Sequence, residues 1–105
     1  MTGADLLIML KTNLDRVPTD TSKDAYLAQL LAAGHRSIRK EGIRRSVTED
    51  DNGIISEVDD IEDANLLVMY AAWMFRKRAD DNPAMPRMLR YQLNNRLFSQ
   101  KAEDE

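Results

Sequence analysis

The spacing of apolar residues along the chain predicts four helices. Apolar positions three and four residues apart, which form one face of an α-helix, recur in four separate segments. The first predicted helix ends just before Pro18, and the second covers about residues 24–41. The third runs from the acids at 59–63 to the bases at 76–78, and the fourth covers about residues 86–101. Glycine and proline separate the later segments, with Gly42 at a predicted C-cap and Pro86 at a first helical position.

Between residues 42 and 60 the helical period disappears. Asn52-Gly53, a dipeptide that favours a type I′ turn, separates two short runs that contain β-branched residues. We expect either a small β-hairpin or an extended loop near residues 46–58, within a flexible segment at about 42–60. The predicted fold class is therefore all-α with about four helices, in a single domain over residues 1–105 that ends in a frayed tail at about 101–105.

The third helix is predicted as a long, central, apolar helix. Its acidic start and basic end both suit the helix dipole. It carries two apolar stripes, and the second stripe contains Leu66, Met69, Tyr70 and Trp73. Either the other helices enclose both stripes, or part of the second stripe, at Tyr70 and Trp73, is an interface between subunits.

Other positions are assigned from their place on a helix. We expect Met88, Leu89, Leu93 and Leu97 of the fourth helix to lie in the core. His35 is expected at the surface because the helix end around it is basic.

Composition narrows the possible functions. The chain has 105 residues, of which 43% are hydrophobic, with no cysteine and one histidine, which indicates a soluble domain without thiolate chemistry or a two-histidine metal site. The longest apolar run, residues 66–75, is about half of the ~20 residues that a membrane span needs. Helix-dipole charge explains the acids at 59–63 without Mg²⁺. We find no phosphate-binding or nucleophile motif, so we predict no enzyme activity, no cofactor and no metal.

The net charge of -3 conceals segregated charge. Residues 36–45 carry five bases and one acid, residues 49–63 carry eight acids and no base, and residues 76–101 carry seven bases and two acids. These blocks are either solvated faces or complementary contacts between copies or partners. A small helical nucleic-acid-binding regulatory module is the alternative function, although the acidic block and a pI near 5.2 disfavour it.

Residues 61–98, IEDANLLVMYAAWMFRKRADDNPAMPRMLRYQLNNRLF, resemble the small head-to-tail connector proteins (head-completion or adaptor proteins) of tailed bacteriophages. The similarity is greatest to connectors of phages that infect Gram-positive hosts, and YAAWMFRKR and MPRMLRYQLNNRLF are its most specific parts. DAYLAQLLAAGHRSIRKEGI and LKTNLD extend the resemblance over nearly the whole chain. Residues 44–58 are the least similar part.

The resemblance implies a structural protein that forms a ring of twelve copies under the portal of a filled capsid. Such a ring extends the DNA channel without sequence-specific binding and gives a later connector, stopper or tail protein a platform. The implied location is the virion, after synthesis in the bacterial cytoplasm, with no membrane contact and no catalysis. A ring needs two unlike faces on each copy. The candidate contact residues are Tyr70, Trp73, Arg76, Lys77, Arg78, Arg87, Arg90 and Tyr91.

Overall fold

The computed structural model describes residues 2–14, 21–40, 47–51, 53–77 and 85–104. Within these ranges the chain forms four helices and a two-stranded antiparallel sheet, which confirms the mostly helical fold. The elements are α1 (Gly3–Asn13), α2 (Asp24–Lys40), β1 (Val47–Glu49), β2 (Ile55–Val58), α3 (Ile61–Lys77) and α4 (Arg87–Asp104). Length does not set α3 apart, because α2 also has 17 residues and α4 has 18. Helix α4 continues beyond its predicted end near residue 101.

A capping box begins α1. The Thr2 hydroxyl accepts a hydrogen bond from the backbone N–H of Asp5, and the Asp5 carboxylate accepts one from the backbone N–H of Thr2. Hydrogen bonds to the Asp5 carboxylate, first from the backbone N–H of Thr2 and then from its side chain, lower the pKa of Asp5. The same end of α1 lies against β2, because Thr2 forms an isolated antiparallel bridge with Glu57. A Cβ added at Gly3 would collide with the Ile55 carbonyl oxygen, so only glycine fits at this crossing.

Of the two predictions for residues 46–58, the hairpin is the one observed. Val47 pairs with Val58 and Thr48 with Glu57, and the register shifts after Thr48. The connection is longer than the predicted two-residue turn. Asp50 and Ile54 are joined by two hydrogen bonds, one of them from the Ile54 N–H to the Asp50 carboxylate. Gly53 has a φ of 78°, the left-handed value that favours glycine.

The core lies where α3 packs against α1, α2, α4 and β2. Its largest fully buried side chains are Leu6, Leu10, Leu27, Ile38, Val58, Leu67, Leu89 and Leu93. Leu97 is partly buried against the same cluster. The core prediction for Met88 is wrong, because this side chain is 62% exposed.

The surface prediction for His35 is also wrong. His35 is buried, and its Nδ1 atom lies 2.8 Å from Oε1 of Glu49 on β1. The basic residues around it, Arg36 and Arg39, occupy other sides of α2 and are exposed. His35 therefore faces the hairpin, while the charges that suggested a surface position point away from it.

Candidate protein interfaces

A groove between α2 and α3 brings together three of the predicted interface residues. This Trp73 groove has a volume of about 400 Å³ and is lined by Leu30, Ser37, Tyr70, Trp73, Met74 and Lys77. The Tyr70 and Trp73 rings pack edge to face, with centroids 5.4 Å apart. Lys77 Nζ lies 5.0 Å from the centre of the Trp73 ring, within cation–π range. The groove is thus aromatic on one side and positively charged at one end.

The two aromatic residues of this groove differ in accessibility. Tyr70 is buried and belongs to the core cluster, so it supports the wall of the groove. Trp73 is half-buried and packs against the edge of the core. The Trp73 Nε1 atom is buried and has no hydrogen-bond acceptor among the described residues. A buried N–H without an acceptor is costly, so this atom makes an unfavourable contribution to stability.

Arg76 has a contact within the chain. Its Nη2 atom donates to the backbone oxygen of Asn13 at 2.9 Å and lies 3.2 Å from the Asn13 side-chain oxygen. Because Asn13 is the last residue of α1, this contact satisfies a helix-terminal carbonyl and ties α1 to α3. Arg76 therefore has a structural role in holding α1 against α3. Arg78, its predicted companion, lies outside the described residues.

The second candidate surface is the outer face of α4, defined by Met88, Tyr91 and Phe98. These side chains are 62%, 64% and 74% exposed. They are three and seven residues apart, so they lie along one side of the helix. Leu89 and Leu93 face the opposite way and are buried. Such a row of large apolar side chains on a small domain is typical of a surface that a partner covers.

Two predicted basic residues accompany this outer face. Arg87 and Arg90 are exposed in the first turn of α4. A cleft of about 620 Å³ separates α4 from the start of α3, with Met88 and Tyr91 on one wall and Asp60 and Glu62 on the other. The α4 outer face is therefore apolar and basic at its start, next to an acidic neighbour on α3.

An ion pair that the sequence pattern did not reveal joins α4 to α3. Arg96 Nε lies 2.8 Å from Asp63 Oδ1, and the Asp63 side chain is almost completely buried. From the sequence, Asp63 is expected to contribute favourable charge at a helix start, together with its exposed neighbours. A signal was present, because Asp63 is four residues before Leu67 and so lies on the core side of α3. Arg96 is three residues after the buried Leu93, which gave the matching signal on α4.

Two more pairs hold the helices in place. Lys11 is buried in α1, and its Nζ lies 2.6 Å from Asp24 Oδ1 at the start of α2. The His35–Glu49 pair joins α2 to the hairpin. Both pairs involve α2, so both help to hold the helix that forms one wall of the Trp73 groove.

Neither a metal site nor a membrane span is found in the described ranges. No group of three histidine or acidic residues there could hold an ion. None of the helices there is long and apolar enough to cross a bilayer. Comparison with known proteins finds no matching family model, no similar curated protein and no similar solved structure.

Proposed function

We propose that this protein is a structural adaptor that assembles with copies of itself as a ring and docks beneath a phage portal through the α4 outer face. The observation that carries the proposal is the exposure of Met88, Tyr91 and Phe98 along one side of α4. Burying an apolar side chain of this size is favourable by roughly 1.5–3 kcal/mol, so three of them form a sufficient anchor.

The chemistry of this surface fits a protein partner. Aromatic residues, methionine and arginine are enriched in interface centres, and this face combines Met88, Tyr91 and Phe98 with Arg87 and Arg90 at its start. The resemblance of residues 61–98 to phage connectors supports the portal as that partner. The ring would extend the DNA channel and present a platform to the next connector or tail protein. In this proposal α3, which packs against the other three helices, is the central apolar helix of each copy.

Nucleic-acid binding remains the second candidate because Arg87 and Arg90 are exposed on the same helix. Asp60 and Glu62 on the opposite wall of the cleft would repel phosphates. We therefore expect no duplex binding beyond weak, salt-sensitive association. A tight complex with duplex DNA and a steep salt slope would favour this second candidate instead.

The proposal is tested by binding to the cognate portal. We expect the wild-type protein to bind and co-sediment with portal rings, and the triple variant Met88→Ser, Tyr91→Ser, Phe98→Ser to remain in the supernatant. Ile8→Ser is the matched control, because Ile8 is also an exposed apolar residue but lies on α1. Failure of the folded wild-type protein to bind the portal would contradict the proposal.

A further inference from the structure

The start of α3 presents an exposed apolar side chain surrounded by negative charge. Ile61 is the first residue of the helix and is 63% exposed. Asp59, Asp60 and Glu62 are its chain neighbours, and all three are exposed. We call residues 59–62 the Ile61 knob. An isolated aliphatic side chain within a ring of carboxylates suits a receiving surface that is apolar in the middle and positively charged at its edge.

The other end of α3 has a surface of that description. The Trp73 groove is lined mostly by apolar and aromatic side chains, with Lys77 at one end. On the α2 side, Lys40 lies one turn beyond Ser37 and is exposed, which places a second positive charge on the same face of that helix. The knob and the groove are therefore complementary in polarity and opposite in charge.

The two surfaces of one molecule cannot meet. Ile61 and Trp73 are on the same continuous helix, and twelve residues at 1.5 Å each separate them by about 18 Å along its axis. A contact between knob and groove must therefore join two molecules. Because the two surfaces are different, a pair of copies would still offer one free knob and one free groove, which is the arrangement that forms rings or filaments.

We propose that the Ile61 knob of one copy inserts into the Trp73 groove of the next copy. Ile61 would fill the apolar part of the groove, and the neighbouring carboxylates would lie near Lys77. This deepens the proposed function, since it rests on self-assembly and names the mating surfaces, but it does not involve the α4 outer face.

A complementation experiment tests this pairing. Ile61→Asp removes the knob and leaves the groove, whereas Lys77→Glu alters the groove and leaves the knob. We expect each variant alone to raise the dissociation constant for self-association by about ten-fold or more in sedimentation velocity. An equimolar mixture should form a one-to-one dimer and nothing larger, because only one intact knob and one intact groove can pair. Ile8→Asp is the control and should assemble as the wild type does.

Cysteine cross-linking gives a second measurement that does not depend on affinity. The chain has no cysteine of its own, so introduced thiols react only with each other. A mixture of Ile61→Cys protein and Ser37→Cys protein should give a disulfide-linked dimer under mild oxidation. Ile8→Cys mixed with Ser37→Cys should give only background.

Three results would overturn the pairing: a wild-type protein that stays monomeric at high concentration, a folded mixture that stays monomeric, or single variants that assemble normally. Circular dichroism verifies folding, and both substituted side chains are exposed. The portal assay is independent of this result. Complementation without portal binding would reject the adaptor function and keep the pairing, whereas portal binding without complementation would do the reverse.

Discussion

Helices α3 and α4 differ in how far their apolar side chains are exposed. In α3, most residues of both apolar stripes are buried, although Ile61 is exposed and Trp73 borders a groove. In α4, Leu89 and Leu93 are buried while Met88, Tyr91 and Phe98 are exposed. The apolar side chains of α3 are thus less available than those of α4, because α3 packs against α1, α2, α4 and β2. An outer helix with apolar residues on both sides buries only one side in the core, and the other side is available to a partner.

The largest expected effect is the difference in free energy of unfolding between a substitution in α3 and one in α4. Leu67→Ala removes a fully buried side chain of α3 and should lower the free energy of unfolding by about 2–5 kcal/mol. Met88→Ala on α4 should change it by less than about 0.5 kcal/mol, because Met88 is already exposed. Urea denaturation of both variants measures the difference. Equal losses would mean that the outer side of α4 is covered within the monomer.

The attachment of α4 to α3 can be weakened next. Arg96→Ala leaves the buried Asp63 carboxylate without this partner and should cost about 2 kcal/mol, less than for a completely buried pair because Arg96 is partly exposed. Arg87→Ala, an exposed position on the same helix, is the matched control and should have little effect. Equal denaturation midpoints for the two variants would show that the Arg96–Asp63 contact adds nothing to docking of α4.

A smaller effect is expected at the hairpin, away from both helices. His35→Ala removes the partner of Glu49 and should destabilise the fold by about 1–2 kcal/mol, through lost packing and a lost hydrogen bond. Glu57→Gln on β2, an exposed side chain, is the control. Thermal melting measures stability, and portal binding below the melting temperature should be unchanged. Loss of portal binding in folded His35→Ala protein would indicate that the docking surface is not on α4.

The smallest effect concerns pH at the start of α1. Hydrogen bonds from Thr2 lower the pKa of Asp5, so the folded state favours the carboxylate. Its stabilising contribution is present above the ordinary pKa of an aspartate and is lost as pH falls below about 4, through the lower folded-state pKa. Asp5→Asn should therefore melt below the wild type at pH 7, and the difference should shrink in acid. A difference that grows in acid would contradict this sign.

The sequence predicted elements more reliably than it predicted which side of an element is covered. Apolar period and Asn-Gly located the four helices and the hairpin, because both are local signals. Burial of His35 and Asp63 was missed, because a polar residue on a core side is tolerated only when a distant partner, here Glu49 or Arg96, is present. Exposure of Met88 was missed because α4 contains enough leucines to satisfy the core without it.

The candidate surfaces were predicted in part. Tyr70, Trp73 and Lys77 follow one another by three and four residues, so their convergence could be expected from helix geometry. The hydrogen bond from Arg76 to Asn13 could not be expected from the sequence, because it depends on where the end of α1 lies relative to α3. Phe98 was also missed as an interface residue, since its exposure depends on how α4 rotates against α3.

Electron microscopy of the wild-type protein mixed with its cognate portal is the most direct test. Particles should gain a ring of extra density on one side of the portal, and the Met88→Ser, Tyr91→Ser, Phe98→Ser variant should leave portals bare while remaining helical. Bare portals with the wild-type protein, or equal extra density with the variant, would contradict docking through the outer face of α4.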